Sequence, residues 1–292
     1  MTSAHLQDRL AFIGVGQMGG PMLRHLVSAG HRVIAFDAIP PAVEEFPSVR
    51  FADTAISAAR GATVVITMLP DASIMREVVL GGGGVASVLA PDALLIDMGS
   101  SDPYVTRDVG EALGRLGLRM IDAPVSGGVS KAKTGQLAIM AGGASHDVES
   151  ATPILQAMGS KVFHVGDLGA GQAMKALNNL VSAAGLLAVV EALRIGEKFG
   201  LDPARMVDVL NASTGRNNTT ENKARQFMLS GTYASGFAMR LMVKDMASAL
   251  NIARTEGVAA AESEVCLESW SQALTALGSN ADHTAIHQWL ST

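Results

Sequence analysis

Through its first half the chain alternates short apolar runs with amphipathic stretches. Leu10-Ala-Phe-Ile-Gly-Val15, Arg32-Val-Ile-Ala-Phe36, Thr63-Val-Val-Ile-Thr-Met68 and Leu94-Leu-Ile-Asp-Met98 are five or six residues long. Unbroken apolar runs of this length suit parallel strands covered on both faces. Val49-Arg-Phe51 is a brief further strand, and Leu118–Ile121, Leu137–Met140 and Lys161–Val165 complete the set. Helical patterns lie between them, one closing at Gly30, one over Thr54–Arg60 and one over Asp147–Met158. From Gly169 onward only helical periodicity is found. A long helix over residues 169–199 is followed by helices over Asp202–Asn211, Thr219–Met228, Arg240–Glu256 and Glu262–Leu277. The pattern predicts an α/β fold: a mostly parallel sheet domain over residues 1–166, and an all-α domain over residues 167–292 that begins with the 169–199 helix as a spine. Because Leu180–Val190 is apolar nearly all round, that spine is expected to be buried on most sides.

The first strand runs into Gly14-Val-Gly16-Gln17-Met18-Gly19, then a helix, a second strand and Asp37. Strand, Gly-x-Gly-x-x-Gly, helix, strand and acid together form the dinucleotide fingerprint of a Rossmann-type domain. Gly14 allows the tight turn, Gly16 lets the backbone approach a pyrophosphate, and Gly19 lets helix and strand pack closely. Gln17 and Met18 belong to the same loop. The phosphates are expected at the helix N-terminus, where unpaired N–H groups and the dipole favour negative charge. Asp37 lies where an acid binds the ribose hydroxyls, and its carboxylate would repel a 2′-phosphate. The residues after it, Ala38-Ile-Pro-Pro41, include no arginine. NAD is therefore expected as cofactor, with NADP disfavoured. Leu69 and Pro70 follow the third long strand at the edge where ligands bind in open α/β sheets, and Ser100 follows the fourth. Ser101 or Asp102 can instead cap a helix with Pro103 in its first turn. Gly81–Gly84 has no Lys-Ser/Thr after it and is expected to be a loop.

The spine helix opens with Gly169-Ala-Gly-Gln-Ala-Met-Lys-Ala-Leu-Asn-Asn179. Residues three and four apart share a helix face, so Lys175 has Asn178 and Asn179 beside it. An ammonium and two amides on an apolar helix are costly to bury without partners, which points to a site. Ser126-Gly127-Gly128 offers a hydroxyl and two unhindered N–H groups, a nest suited to a carboxylate, or simply a glycine-rich turn. Arg216, in a polar break between helices, can grip an anionic group bidentately or be a surface arginine. Lys244-Asp245 is a charged pair within a helix. His283-x-x-x-His287 has metal-like spacing without nearby acids or cysteines, and no metal is expected.

Composition narrows the function. The chain has 292 residues, 48% hydrophobic and 17% charged, enough for two packed cores. A net charge of -5 argues against nucleic acid as a partner. The single cysteine, Cys266, excludes an intrachain disulfide and fits a reducing compartment. Met1–Asp8 is polar and lacks the pattern of a signal peptide, and Leu180–Val190 is shorter than the roughly 20 residues of a membrane span. A cytoplasmic location away from membranes is expected. The 15 methionines are expected to be core filler.

Four ordered motifs carry a resemblance: Phe12-Ile-Gly-Val-Gly-Gln-Met-Gly19 with Pro21-Met22, Asp122-Ala-Pro-Val-Ser-Gly-Gly128, Gly169–Asn179, and Lys244-Asp245. Over nearly its whole length the chain resembles the β-hydroxyacid dehydrogenase family. The resemblance implies Lys175 as catalytic residue, Ser126, Gly127, Gly128 and Asn179 around the substrate, and Leu69, Pro70, Ser100 and Lys244 near the cofactor. It implies reversible NAD-dependent oxidation of a small 3-hydroxy acid to its semialdehyde, in a homodimer or homotetramer. An NADP-linked carbonyl reductase and a non-catalytic nucleotide-binding scaffold are the alternatives. Retention of Lys175 and the Ser126-Gly-Gly nest speaks against the scaffold. Gly99 stands where many members carry serine.

Overall fold

A computed structural model describes residues 9–39, 41 and 43–290. The polar stretch Met1–Asp8 and Pro40 of the segment after Asp37 lie outside these described residues. The chain divides into two compact units between Lys175 and Ala176.

In the first unit the elements run β1 (Leu10–Ile13), α1 (Gly19–Ser28), β2 (Val33–Phe36), β3 (Arg50–Phe51), α2 (Ala55–Ala59), β4 (Val64–Thr67), α3 (Ala72–Leu80), β5 (Leu94–Asp97), α4 (Pro103–Arg115), β6 (Arg119–Asp122), β7 (Val125–Ser126), α5 (Gly128–Lys133), β8 (Leu137–Gly142), α6 (Ser145–Met158) and β9 (Gly159–Gly166). They are followed by α7 (Ala170–Phe199), which continues into the second unit. The sheet order is β3-β2-β1-β4-β5-β6-β8-β7, with β9 on β8. Pairing is parallel from β3 to β6, antiparallel where β8 meets β6 and β7, and parallel again from β8 to β9.

Every residue of β1, β4 and β5 is buried, and alternation sends neighbours to opposite faces. Leu10, Phe12, Ile66 and Ile96 join Met22, Leu23 and Leu26 of α1 and Leu155 of α6. On the other face Ala11, Ile13, Val65 and Leu95 join Met75 and Val79 of α3 and Val109 and Leu113 of α4. Helices thus cover both faces, which is why these strands show no polar alternation. The chain reverses its direction of strand addition between β1 and β4, so their carboxyl ends form the switch-point crevice. Asp102 caps α4 through the Tyr104 and Val105 N–H groups, with Pro103 in its first turn.

The second unit holds the rest of α7, then α8 (Pro203–Asn211), α9 (Asn218–Asn222), a π-helical turn over Ala224–Leu229, α10 (Met239–Thr255), α11 (Ala261–Leu277) and α12 (Ile286–Trp289). The expected single helix over Thr219–Met228 is broken at Lys223, whose φ of -129° leaves the α region. The Phe227 and Met228 N–H groups both donate to the Lys223 carbonyl, which widens the turn that follows. The core gathers Leu186, Val190 and Leu193 of α7 around Trp270, with Met228, Met239, Met242 and Met246 as filler. His283, of the metal-like pair, is buried; its Nδ1 lies 3.1 Å from the Phe237 carbonyl, and its ring stacks edge-on against Phe237.

By length and composition α7 could cross a membrane, with an 18-residue window of mean hydropathy 1.6. One side of it nevertheless forms the helical core. The expectation of burial on most sides fails, since only 44% of that window is buried. Val181, Ile195 and Phe199 are exposed.

Candidate active site

The glycine loop leaves β1 with Gly14 at φ +101°, a conformation that only glycine adopts freely. The Gly14 N–H donates to the Phe36 carbonyl at 2.9 Å, tying the loop to β2. A Cβ on Gly14 would stand 2.3 Å from the Met68 carbonyl oxygen, so β4 closes against the turn. A Cβ on Gly19 would stand 1.9 Å from the Gly14 oxygen, so α1 must start with a bare backbone. Gly16 differs. It is exposed, and a Cβ there would meet no protein atom within 4 Å. Packing does not demand glycine at this point, whereas an approaching phosphate would. Gln17 is also exposed and Met18 half-buried.

Asp37 lies just past β2. Its Oδ2 accepts the Val15 N–H at 2.5 Å and its Oδ1 accepts the Ile39 N–H at 2.8 Å. These bonds hold the carboxylate beside the glycine turn, and each oxygen keeps a second lone pair for a hydroxyl donor. Leu69 and Pro70 follow β4, with Leu69 packed against both Gly14 and Gly99. Ser100 is half-buried after β5. Gly14, Gly16, Asp37, Leu69, Pro70 and Ser100 thus line the carboxyl ends of β1, β2, β4 and β5, and the loop suits a dinucleotide. Ser126 ends β7, and Gly127 and Gly128 take φ values of +134° and +64°. Both are exposed, in backbone conformations that glycine adopts freely.

A buried polar cluster joins this edge to the start of α7. Asp122, fully buried at the end of β6, accepts the Gly169 N–H at 2.7 Å and the Gln172 N–H at 2.6 Å. The carboxylate satisfies two of the donors that a helix start leaves orphaned. The Gln172 side chain donates to the Gly99 carbonyl at 2.9 Å and to Asp97 at 3.3 Å, and accepts the Ser101 N–H at 2.9 Å. Asp97 also accepts the Thr67 and Ser101 hydroxyls. Burial pushes the Asp122 carboxyl up to about 7; the Gly169 and Gln172 N–H groups oppose the shift, and the nearby Asp97 charge adds to it. Sequence reasoning assigned no role to Asp122, Asp97 or Gln172. Their signal was an acid ending two apolar strands and a polar residue inside the glycine-rich helix start.

One turn beyond Gln172 on the same helix, Lys175 is only 8% exposed. Asn179, a turn further on, is also buried and donates from Nδ2 to Asp245 Oδ2 at 2.5 Å. A carboxylate only accepts, so this bond fixes which way the amide points. Its Oδ1 accepts from Asn178 at 3.1 Å. Buried Asp245 of α10 pairs with half-buried Lys244 at 3.4 Å. Sequence reasoning noted the Lys244-Asp245 pair but missed Asp245 as the anchor of Asn179. Arg216 is exposed between α8 and α9 and pairs with Glu221 at 3.7 Å. The amine of Lys175 can accept or release a proton, and the carboxamide of Asn179 can orient a neighbour by hydrogen bonding.

The doubly wound sheet and the glycine loop with its acid define a dinucleotide-binding domain, followed by a helical second unit. Residues 9–166 match the family model described as the NAD binding domain of 6-phosphogluconate dehydrogenase. Residues 169–290 match that described as NAD-binding of NADP-dependent 3-hydroxyisobutyrate dehydrogenase. The chain is 41% identical over 249 residues to 3-hydroxyisobutyrate dehydrogenase of Pseudomonas aeruginosa, covering 82% of this chain and 84% of that protein. It is 36% identical over 252 residues to 2-(hydroxymethyl)glutarate dehydrogenase of Eubacterium barkeri, covering 86% and 84%. Among solved structures, 3-hydroxyisobutyrate dehydrogenase of Mycobacterium tuberculosis with L-serine superimposes with a TM-score of 0.89 at 32% identity, over 98% of this chain and 99% of that one. The chain belongs to the β-hydroxyacid dehydrogenase family and is a hydroxyacid dehydrogenase with NAD(P)-binding domains.

Two outcomes follow from the packing. Gly16→Ala is expected to keep wild-type stability and lose dinucleotide affinity, whereas Gly19→Ala is expected to lose about 3 kcal/mol of stability. Urea denaturation and NADH titration of both variants check this; equal destabilisation by the two would contradict it. The second outcome concerns Asp122. A raised carboxyl pKa means that the folded state holds the proton more tightly, so its stabilisation is complete near pH 4 and lost as pH rises towards 7. Asp122→Asn is therefore expected to gain on wild type by on the order of a few kcal/mol between pH 4 and 8. A stability difference that stays constant over that range would refute this.

Proposed function

We propose that this protein is an NAD-dependent 3-hydroxyacid dehydrogenase, interconverting a small 3-hydroxy acid and its semialdehyde with Lys175 as general acid and base. The observation that carries the reading is the burial of Lys175 one turn after Gln172, on a helix start clamped to the carboxyl ends of β5 and β6. A buried amine on a helix start held at this edge of the sheet has a clear chemical use. The names of the relatives support the substrate class. 3-Hydroxyisobutyrate, 2-(hydroxymethyl)glutarate and L-serine all carry a hydroxymethyl group on the carbon that bears the carboxylate.

When bound, NAD supplies the hydride acceptor. The Ser126 hydroxyl and the N–H groups of Gly127 and Gly128 hold the substrate carboxylate, which fixes the position of the carbinol carbon. Such positioning lowers a barrier by several kcal/mol. Lys175 takes the hydroxyl proton in oxidation and returns it in reduction. Asn179, held by Asp245, presents a fixed amide one turn along the helix.

The preference for NAD rests on Asp37. The second matched domain is described for an NADP-dependent enzyme, but Asp37 is held by two backbone N–H groups, and an acid at this point of the fingerprint is the partner of ribose hydroxyls and repels a 2′-phosphate. Juxtaposed like charges cost several kcal/mol.

Lys175→Ala is expected to lower kcat by at least about 100-fold while NADH binding, followed by fluorescence, stays within about twofold. Near-full activity in this variant would remove the lysine from the mechanism. For the cofactor, kcat/KM with NAD is expected to exceed that with NADP by about 100-fold, and Asp37→Ser to narrow the ratio by at least about tenfold. Comparable use of both cofactors by the wild type would overturn the preference.

A further inference from the structure

A carboxamide is both donor and acceptor, and the Gln172 side chain, only 1% exposed, uses both ends on the turn that follows β5. Its Oε1 accepts the Ser101 N–H at 2.9 Å, and its Nε2 donates to the Gly99 carbonyl, also at 2.9 Å. The amide thus grips the backbone on either side of Ser100, supplying one acceptor and one donor as a paired strand would. Nε2 also donates to Asp97 Oδ2 at 3.3 Å, and that oxygen accepts the Ser101 hydroxyl at 3.0 Å. Gly99 is confined from another side, since a Cβ there would stand 2.6 Å from the Leu69 carbonyl oxygen. The Gly99–Ser101 turn is therefore held between the segment after β4 and Gln172.

Gln172 is at the same time part of α7. Its own N–H donates to Asp122 at 2.6 Å. Lys175 follows three residues later, about 4.5 Å along the helix axis and on a neighbouring position of the same face. One residue therefore touches the turn that carries Ser100 and belongs to the helix turn that carries Lys175.

We infer that Gln172 is a positioning residue: by holding the backbone on both sides of Ser100 from the helix that bears Lys175, it sets the cofactor-side turn and the base against one another. The inference deepens the proposed reaction and rests on Lys175 as its acid and base and on Ser100 lying beside the dinucleotide. An alkyl side chain would fill the space, yet leave the Gly99 carbonyl and the Ser101 N–H without this partner and let the turn shift against the helix. A misplacement of about 1 Å costs a reaction on the order of 100-fold in rate.

Gln172→Leu and Gln172→Glu in the full-length chain test this, with NAD and with 3-hydroxyisobutyrate, 2-(hydroxymethyl)glutarate and L-serine as substrates. Gln172→Leu is expected to slow single-turnover hydride transfer at saturating NAD and substrate by at least about tenfold, with NADH affinity within about threefold of wild type. Without cofactor, amide exchange at the Ser101 N–H is expected to quicken by at least about tenfold, while that at Phe12 of β1 keeps its wild-type rate. Gln172→Glu separates positioning from filling. Protonated, the introduced carboxyl offers one donor to Gly99 and one acceptor to Ser101; ionised, it only accepts, and faces the Gly99 carbonyl and the Asp97 carboxylate, with Asp122 bonded to the same residue's N–H. Its hydride rate relative to wild type at the same pH is therefore expected to be highest at the acid end and to fall by at least about tenfold as pH rises. A rate loss in Gln172→Leu that vanishes once corrected for the folded fraction, unchanged exchange at Ser101, or a Gln172→Glu ratio independent of pH overturns the inference. Failure of the proposed reaction shows differently: Lys175→Ala then stays active, whatever the Ser101 exchange does in Gln172→Leu.

Discussion

The arrangement depends on one buried carboxylate. Asp122 lies at the end of a central strand, fully out of water, and accepts two N–H groups from the first turn of α7. Burying a charge is costly unless it is hydrogen-bonded, and a helix start leaves donors that need acceptors. Each requirement meets the other, although desolvation still outweighs the bonds and holds the carboxyl near neutrality. The surrounding glycines follow from the same contact. A Cβ on Gly142 would stand 2.5 Å from one Asp122 oxygen, and a Cβ on Gly171 2.7 Å from the other. Asp122, Gly142, Gly169, Gly171 and Gln172 are therefore a single device dispersed through the sequence.

That device gives α7 a fixed origin. A helix advances 1.5 Å per residue and is stiff over a few turns, so clamping Gln172 also fixes the backbone of Lys175 one turn later. Groups carried on a rigid helix are placed more accurately than groups on a loop. The same economy applies at Asp37, where the bond to the Val15 N–H locks both the acid and the glycine turn. In each case one carboxylate ties together stretches of backbone that are distant in sequence.

Much of this was legible in the sequence because it is local. The unbroken apolar runs gave β1, β4 and β5; the fingerprint gave the glycine loop and Asp37; the spacing of Lys175, Asn178 and Asn179 gave a polar helix face. Less legible were features that depend on distant residues. Asp122 and Gln172 are 50 positions apart, and Asn179 and Asp245 are 66 apart. No periodicity in one sequence connects them. The break at Lys223 was hidden for another reason, since Thr219–Met228 keeps a helical pattern while its hydrogen bonding shifts from four residues to five.

The spine helix shows why hydrophobicity alone misleads about burial. Its polar residues Lys175 and Asn179 are buried, while its apolar Val181, Ile195 and Phe199 are exposed. Exposed apolar residues are common on protein surfaces, so apolar character alone does not place a residue in the core. The core of the helical unit is served by the opposite side of α7, where Ala183, Leu186, Val190 and Leu193 meet Trp270. Packing within the chain therefore accounts for one face only. On the remainder, buried Lys175 and Asn179 stand beside exposed Val181, Ile195 and Phe199, so residue type there does not follow from that core.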